Sequence, residues 1–278
     1  MIDLHCHSTA SDGMLPPAEV VGAAATLGLS AIALTDHDTT GGLAEARDEG
    51  RRLGVEVVGG CEFSVGVGWG EMHLLAYFVE PGDPDIEAFL TAARDDRSRR
   101  ARDMVSRLVG LGVKISSDDV MREALGAAIG RPHVARALQR LGHVPTIQQA
   151  FDRYIGRGRP AFVEKQLPSL PVVAELVHAK GGVVSAAHLK SFGTMANLAR
   201  LKDQGLDAVE TRHPSHTGDH LALITDAALA LGLARTGGSD WHGDTDAIGT
   251  HATLGSQQVP DEWLTLLRAR CAERMGSR

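Results

Sequence analysis

The chain has 278 residues, 43% of them hydrophobic and 4% aromatic, with 32 glycines and a formal net charge of -7. That length supports one large α/β domain, or one domain with an inserted subdomain, whose core is built from Ala, Val, Leu and Ile. The negative balance excludes a surface that adheres generically to nucleic acid or membrane, no run approaches the ~18 apolar residues that span a bilayer, and Cys6, Cys61 and Cys271 form no CxxC pair, so the composition reads as a soluble, cytoplasmic protein with reduced thiols.

In chain order, "MIDLHCH" is predicted as a strand and "PPAEVVGAAATLGL" as a helix with prolines in its opening turn and Gly28 near its end. "SAIALTDHDT" is a strand running into a loop, "GLAEARDEGRRLG" a helix, and "VEVVGGCEFSV" and "EMHLLAYFV" are further strands. Between residues 83 and 165 helical patterns follow one another without a strand, which reads as an inserted helical cap. Alternation resumes with "PVVAELVHAKGG", "VVSAAH", "MANLARLKDQGL", "DAVETRH", "DHLALITDAALALG" and "ARTGGSDWH", and "DEWLTLLRARCAERM" is a closing amphipathic helix. The pattern predicts a parallel sheet with crossover helices, built from residues 1–82 and 166–278.

Polar residues collect at the strand ends. His5 and His7 are two apart, so a strand places both on one face. His37, Glu62, His73, His188, Asp240 and His242 lie at the ends or edges of later strands, where parallel α/β folds build their sites. Imidazole and carboxylate donors without thiolate suit zinc, manganese or iron. A carboxylate such as Glu62 can bridge two ions, and metals ~3.5 to 4 Å apart are suited to phosphoester hydrolysis.

Through "DLHCHSTASDG", "TDHDT", "CEF", "MHLL", "AAH" and "GSDWH", in that order over nearly the whole chain, the sequence resembles the polymerase and histidinol phosphatase (PHP) family. "GRPHVARAL" and "FDRYIGRGRPAFVEK" are similar to its bacterial members that act on nucleoside 3',5'-bisphosphates, some of which also trim short RNA from the 5' end. The resemblance implies a distorted (β/α)7 barrel with the inserted cap, and two to three divalent ions, manganese first with iron or zinc as alternatives. His5, His7, Glu62 and Asp240 would hold the first ion, Glu62, His73 and His188 the second, and Asp12, His37 and His242 the third. One departure is Leu189, where the family usually has proline after the histidine.

The implied reaction is removal of the 3'-phosphate from a substrate such as pAp by a metal-bridging hydroxide, with 5'-to-3' exoribonuclease action as an extension. A histidinol-phosphate phosphatase and a catalytically silent, metal-stabilised module are the alternatives. No membrane and no obligate protein partner is expected. His213 and a metal-bound water are both candidates to protonate the leaving oxygen. Asp36 is read either as a partner that fixes an imidazole tautomer or as a loop carboxylate capping the helix after Gly41. Arg131, Lys165, Arg159 and Arg212 are candidate phosphate contacts, and the similarity of its segment adds His133. The mixed run "RDDRSRRARDMVSR" reads as a salt-bridged solvated face rather than an RNA site. His178 is expected to be structural and His216 to line the pocket, while His143, His220 and His251 fall outside the metal set.

Overall fold

Seven short apolar runs form the strands of one sheet whose spatial order follows the chain. β1 (Ile2–Cys6), β2 (Ala31–Leu34) and β3 (Glu56–Val67) are mutually parallel, as are β5 (Val183–Ala186), β6 (Ala208–Arg212) and β7 (Ala234–Gly237). β4 (Gly70–Tyr77) runs antiparallel to both its neighbours, which corrects the expectation of an all-parallel sheet. The cause is local: only Gly68 and Trp69 separate β3 from β4, and a connection that short makes a hairpin, never a crossover. This computed structural model describes residues 1–124, 129–243 and 252–276.

Past β7 the chain turns back onto β1. Asp240 N–H donates to His5 O at 2.9 Å and His7 N–H donates to Trp241 O at 2.9 Å, giving a nearly closed seven-strand barrel. Asp3 reinforces this seam: its buried carboxylate accepts the N–H groups of Ser239 (3.0 Å) and Gly255 (2.8 Å).

By compactness the chain divides into one unit of Met1–Glu87 with Leu167–Arg278 and another of Ala88–Gln166. In the first, α1 (Pro17–Thr26) and α2 (Leu43–Leu53) cover the outside of β1 and β2, burying Val20, Val21, Leu43 and Ala46 against Cys6, Ile32 and Leu34. α2 ends at Gly54 with φ +76°, a left-handed cap that suits glycine. A second cluster joins Ile2, Leu4, Ala33 and Tyr77 to Trp263 and Leu267 of the last helix, Asp261–Gly276. Tyr77 brings its hydroxyl with it, donating to Leu4 O at 2.9 Å. The second unit holds the helices Ser117–Ala124, Arg131–Arg140 and Ile147–Ala150 and most of Pro84–Gly110, around Met104, Leu108, Val134, Leu138 and Ile155. Among the described residues no helix is long and apolar enough to cross a membrane.

The register of β1 slips between Asp3 and Cys6, where three steps on β1 match two on β2. This bulge lets Leu4 join the inner cluster while Cys6 packs outward against α1 and α2, and His5 and His7 flank Cys6 on the opposite side. A similar slip lies between Glu210 and Arg212 on β6. Gly238 crosses β1 so closely that a Cβ there would run into His5 Cβ and N and come within 2.8 Å of Asp3 Oδ1. Gly238→Ala is therefore expected to lower unfolding free energy by ~1–3 kcal/mol, read as a lower urea midpoint at unchanged m-value.

Candidate metal centre

At the barrel end reached by the carboxyl ends of the parallel strands, imidazoles and carboxylates converge on Glu62. Glu62 lies in the middle of β3 rather than at its end, because the strand continues to Val67. It is 1% exposed, and His37 forms a parallel bridge with it. His73 sits near the start of β4, opposite Ser64; β4 runs in reverse, so its beginning shares the end at which the parallel strands finish.

The two oxygens of Glu62 face different partners. Oε2 is 3.2 Å from His5 Nε2, 3.1 Å from His7 Nε2 and 3.4 Å from His37 Nδ1. Oε1 is 2.7 Å from His73 Nδ1 and 3.3 Å from His188 Nε2. Asp240 Oδ1 stands 3.3 Å from His5 Nε2 and 3.2 Å from His7 Nε2. Tetrahedral donors ~2.0 to 2.1 Å from one ion would lie roughly 3.3 Å from each other, the spacing seen for His5, His7, Glu62 and Asp240. His7 Nε2 and His37 Nδ1 are buried, make no well-formed hydrogen bond among the described residues and face the same carboxylate oxygen, a placement that an ion between them would satisfy. A further group joins His7, Asp12, His37 and His242, with Asp12 Oδ1 3.3 Å from His242 Nε2. His37, Glu62 and His73 also group together, so His37 and His7 each stand between two sets.

Several ring orientations are fixed from behind. His242 Nδ1 donates to Asp240 O at 2.8 Å, which leaves Nε2 as the nitrogen facing Asp12. His5 Nδ1 is 3.1 Å from Glu210 Oε1, and Glu210 Oε2 accepts the N–H of His188 at 2.9 Å. Glu210 belongs to none of the sequence motifs, although a carboxylate in a buried strand between Val209 and Thr211 is itself a signal, since such a charge must be satisfied. His188 and Asp240 both have left-handed backbones, φ +36° and +52°, an uncommon conformation that clusters at functional sites. Leu189 holds φ −63°, an angle a proline ring would also adopt, so this departure from the family pattern keeps a φ compatible with proline.

His213 is buried, with Nε2 3.4 Å from Asp240 Oδ2. Ser215 N–H donates to His213 Nδ1 at 3.1 Å, which puts the proton of a neutral ring on Nε2; His5, Glu210 and His213 also stand close enough to form a further donor group. His216 Nδ1 donates to Thr211 O (2.9 Å) while Nε2 accepts from Lys190 N–H (3.3 Å), so both nitrogens tie loops together.

Asp36 takes neither expected role. Its Oδ1 accepts from Ser8 N–H and Ser11 Oγ, and Oδ2 from Ser8 Oγ, each at 2.7 Å, so it fastens the loop that carries Asp12. Arg212 is also reassigned: its guanidinium donates to the carbonyls of Gln257 and Gln258 and lies 5.3 Å from the ring of Trp263, a structural clamp rather than a phosphate contact. Arg131, His133, Arg159 and Lys165 belong to the second unit. Arg131 lies over Phe151 and Phe162, 6.0 and 5.9 Å from their centroids. His133 Nδ1 accepts Gly130 N–H at 2.9 Å and so caps its own helix, Arg159 is exposed, and Lys165 is half-buried. Arg99 pairs with Asp96 and Asp103 within its helix, and Arg100 and Arg107 donate to the carbonyls of Val163 and Phe162. His178 binds Asp207 at 2.7 Å in a partly buried pair that Arg274 completes, a structural role. His251 lies outside the described residues.

Electrostatics favour a cationic guest. Burial alone would raise Glu62, Asp240 and Asp12, yet the surrounding imidazoles hold all three well below the usual carboxylate range. Burial would lower His7, but Asp240 and Glu62 lift it to about 10; His37 is pushed by burial down to about 3.

The PHP domain family model matches residues 3–154. A 5'-3' exoribonuclease of Haemophilus influenzae is 33% identical over 245 residues, covering 86% of this chain and 89% of the relative. A 3',5'-nucleoside bisphosphate phosphatase of Chromobacterium violaceum is 34% identical over 247 residues, covering 87% of each. A protein of Bifidobacterium adolescentis described as a metal-dependent phosphoesterase superposes with a TM-score of 0.86 at 31% identity, over 97% of this chain and 96% of that one. The chain belongs to the PHP domain family.

Two outcomes follow. Because His7 titrates near 10, an ion must displace a proton held at neutral pH, so affinity for Mn²⁺ should rise with pH between 6 and 8 and protons should be released, as read by calorimetry in buffers of different ionisation enthalpy. Glu210→Gln should weaken metal binding by ~10- to 100-fold in a competitive chelator titration.

Proposed function

We propose that this PHP-family phosphoesterase removes the 3'-phosphate from nucleoside 3',5'-bisphosphates, converting pAp to AMP and phosphate, and that the same centre trims short RNA from the 5' end. The observation that carries this reading is Glu62, a buried carboxylate with one oxygen facing His5, His7 and His37 and the other facing His73 and His188, the disposition of a bridge between two ions. The named activities of the Haemophilus and Chromobacterium relatives support nucleotide phosphoesters as the substrate class.

His5, His7, Glu62 and Asp240 would hold one divalent ion, Glu62, His73 and His188 a second, and Asp12, His37 and His242 a third, with manganese the first choice and iron or zinc alternatives. Such ions, when bound, activate water and neutralise phosphate charge. The chain's own contribution is positional. Glu210 orients His5 and holds the backbone of His188, and Asp36 with Ser8 and Ser11 holds the loop of Asp12. His213 presents an Nε2–H beside Asp240, and this is the proton we assign to the leaving oxygen. Arg131 and Lys165 are the cations assigned to the substrate's second phosphate, from the resemblance of their segments.

The test is phosphate release by the manganese-loaded protein from pAp, AMP and histidinol phosphate, beside a chelator-treated control. Metal-dependent conversion of pAp with AMP left intact is expected; preference for histidinol phosphate would overturn the substrate. Glu62→Ala should reduce turnover by orders of magnitude together with bound metal, whereas His213→Gln should lower kcat by ~10²- to 10⁴-fold with metal content unchanged.

A further inference from the structure

Aromatic residues are scarce in this chain, yet two of them form a stacked pair on loops that leave the metal centre. Trp69 stands at the tip of the β3–β4 hairpin, four residues before His73, and Phe192 stands four residues after His188. Their rings are 5.5 Å apart and nearly parallel at 7°. Phe192 is 47% exposed, and Trp69 is half-buried. Neither belongs to the three hydrophobic clusters described above.

Trp69 also lines a cavity of about 340 Å³, a size within the range of small-ligand sites. Its rim carries Ser169, Arg200 and Gln204 beside the backbone of Gly66 and Gly68. Arg200 is held by Asn197 Oδ1 at 2.9 Å, while the side chains of Ser169 and Gln204 have no hydrogen-bond partner among the described residues. A flat aromatic wall beside a few hydrogen-bonding groups of both polarities is the chemistry that receives a nucleobase with little preference among bases.

Along β4 the path from His73 to Trp69 is roughly 13 Å. A phosphate held at Glu62 would leave the pair within reach of a short single strand. We infer that Trp69 and Phe192, with the adjoining cavity, form a subsite for a nucleobase downstream of the reacting phosphate in single-stranded RNA. This rests on the reading of the centre as a nucleotide phosphoesterase. The subsite makes the protein discriminate chain length, and it is not used by a mononucleotide.

The experiment compares wild type, Phe192→Ala and Trp69→Leu on pAp and on a 5'-phosphorylated tetranucleotide RNA, with anisotropy of the fluorescein-labelled tetranucleotide in chelator as a second readout. Phe192 is exposed, so its truncation leaves the fold intact. The variants should raise KM for the tetranucleotide by roughly 5- to 100-fold, the range supplied by stacking one base, and leave kcat/KM for pAp within about twofold. Unchanged KM for the tetranucleotide, or an equal loss on both substrates, overturns the subsite. Should wild type turn over neither substrate, the phosphoesterase reading fails by itself, and the anisotropy decides the subsite: weaker RNA binding by Phe192→Ala supports it, and equal binding removes it.

Discussion

The structure depends on one buried carboxylate facing five imidazoles. Glu62 is nearly inaccessible, and a charge in that position is tolerated only where opposite charge or donors surround it. His5 and His7 do so on one oxygen, with His37 beside them, and His73 and His188 on the other. These come from four different strands or strand-end loops, so the barrel has to bring all of them to one end before the charge on Glu62 can be held. The outer arrangements follow: Asp240 shares His5 and His7, Asp12 shares His242, and Glu210 and Asp36 hold what carries them.

The barrel achieves this convergence through its irregularities. The bulge in β1 combines apolar Leu4 with His5 and His7, the reversal of β4 brings His73 to the working end, and the close crossing of Gly238 delivers Asp240 to β1. Left-handed backbones at His188 and Asp240 turn two side chains inward that a regular strand exit would aim elsewhere. The regular parts, the outer helices and the inner aliphatic cluster, make these departures affordable by supplying hydrophobic stabilisation far from the polar centre.

Much of this was legible in the sequence, because the donors fall at the ends of short apolar runs and a period of two fixes their common face. The strands and helices were visible as alternating patterns, and so was the long helical interruption. What stayed hidden depended on pairing and on third partners. The direction of β4 turns on the two-residue link at Gly68 and Trp69, and Glu62 seemed to end its strand because the hairpin extends past it. Glu210 looked like one more strand residue, and only the folded seam shows it reaching His5 and His188. Asp36 and Arg212 stand close to motif residues in the sequence, but their partners, two serines in one case and two carbonyls with an indole in the other, come from distant parts of the chain.

Strand register also decides which element sits at the centre. Cys6 lies between His5 and His7, and Cys61 directly precedes Glu62, so soft donors adjoin the hard ones along the chain. Alternation turns both sulfurs away: Cys6 Sγ donates to Ala33 O at 3.2 Å, and burial pushes both thiols up, keeping them neutral and unreactive. A slip of one residue in β1 or β3 would exchange imidazole or carboxylate for thiolate. The bulge in β1 and the regular alternation of β3 thus set the chemical hardness of the donor set, keeping two soft sulfurs out of a group of imidazoles and carboxylates.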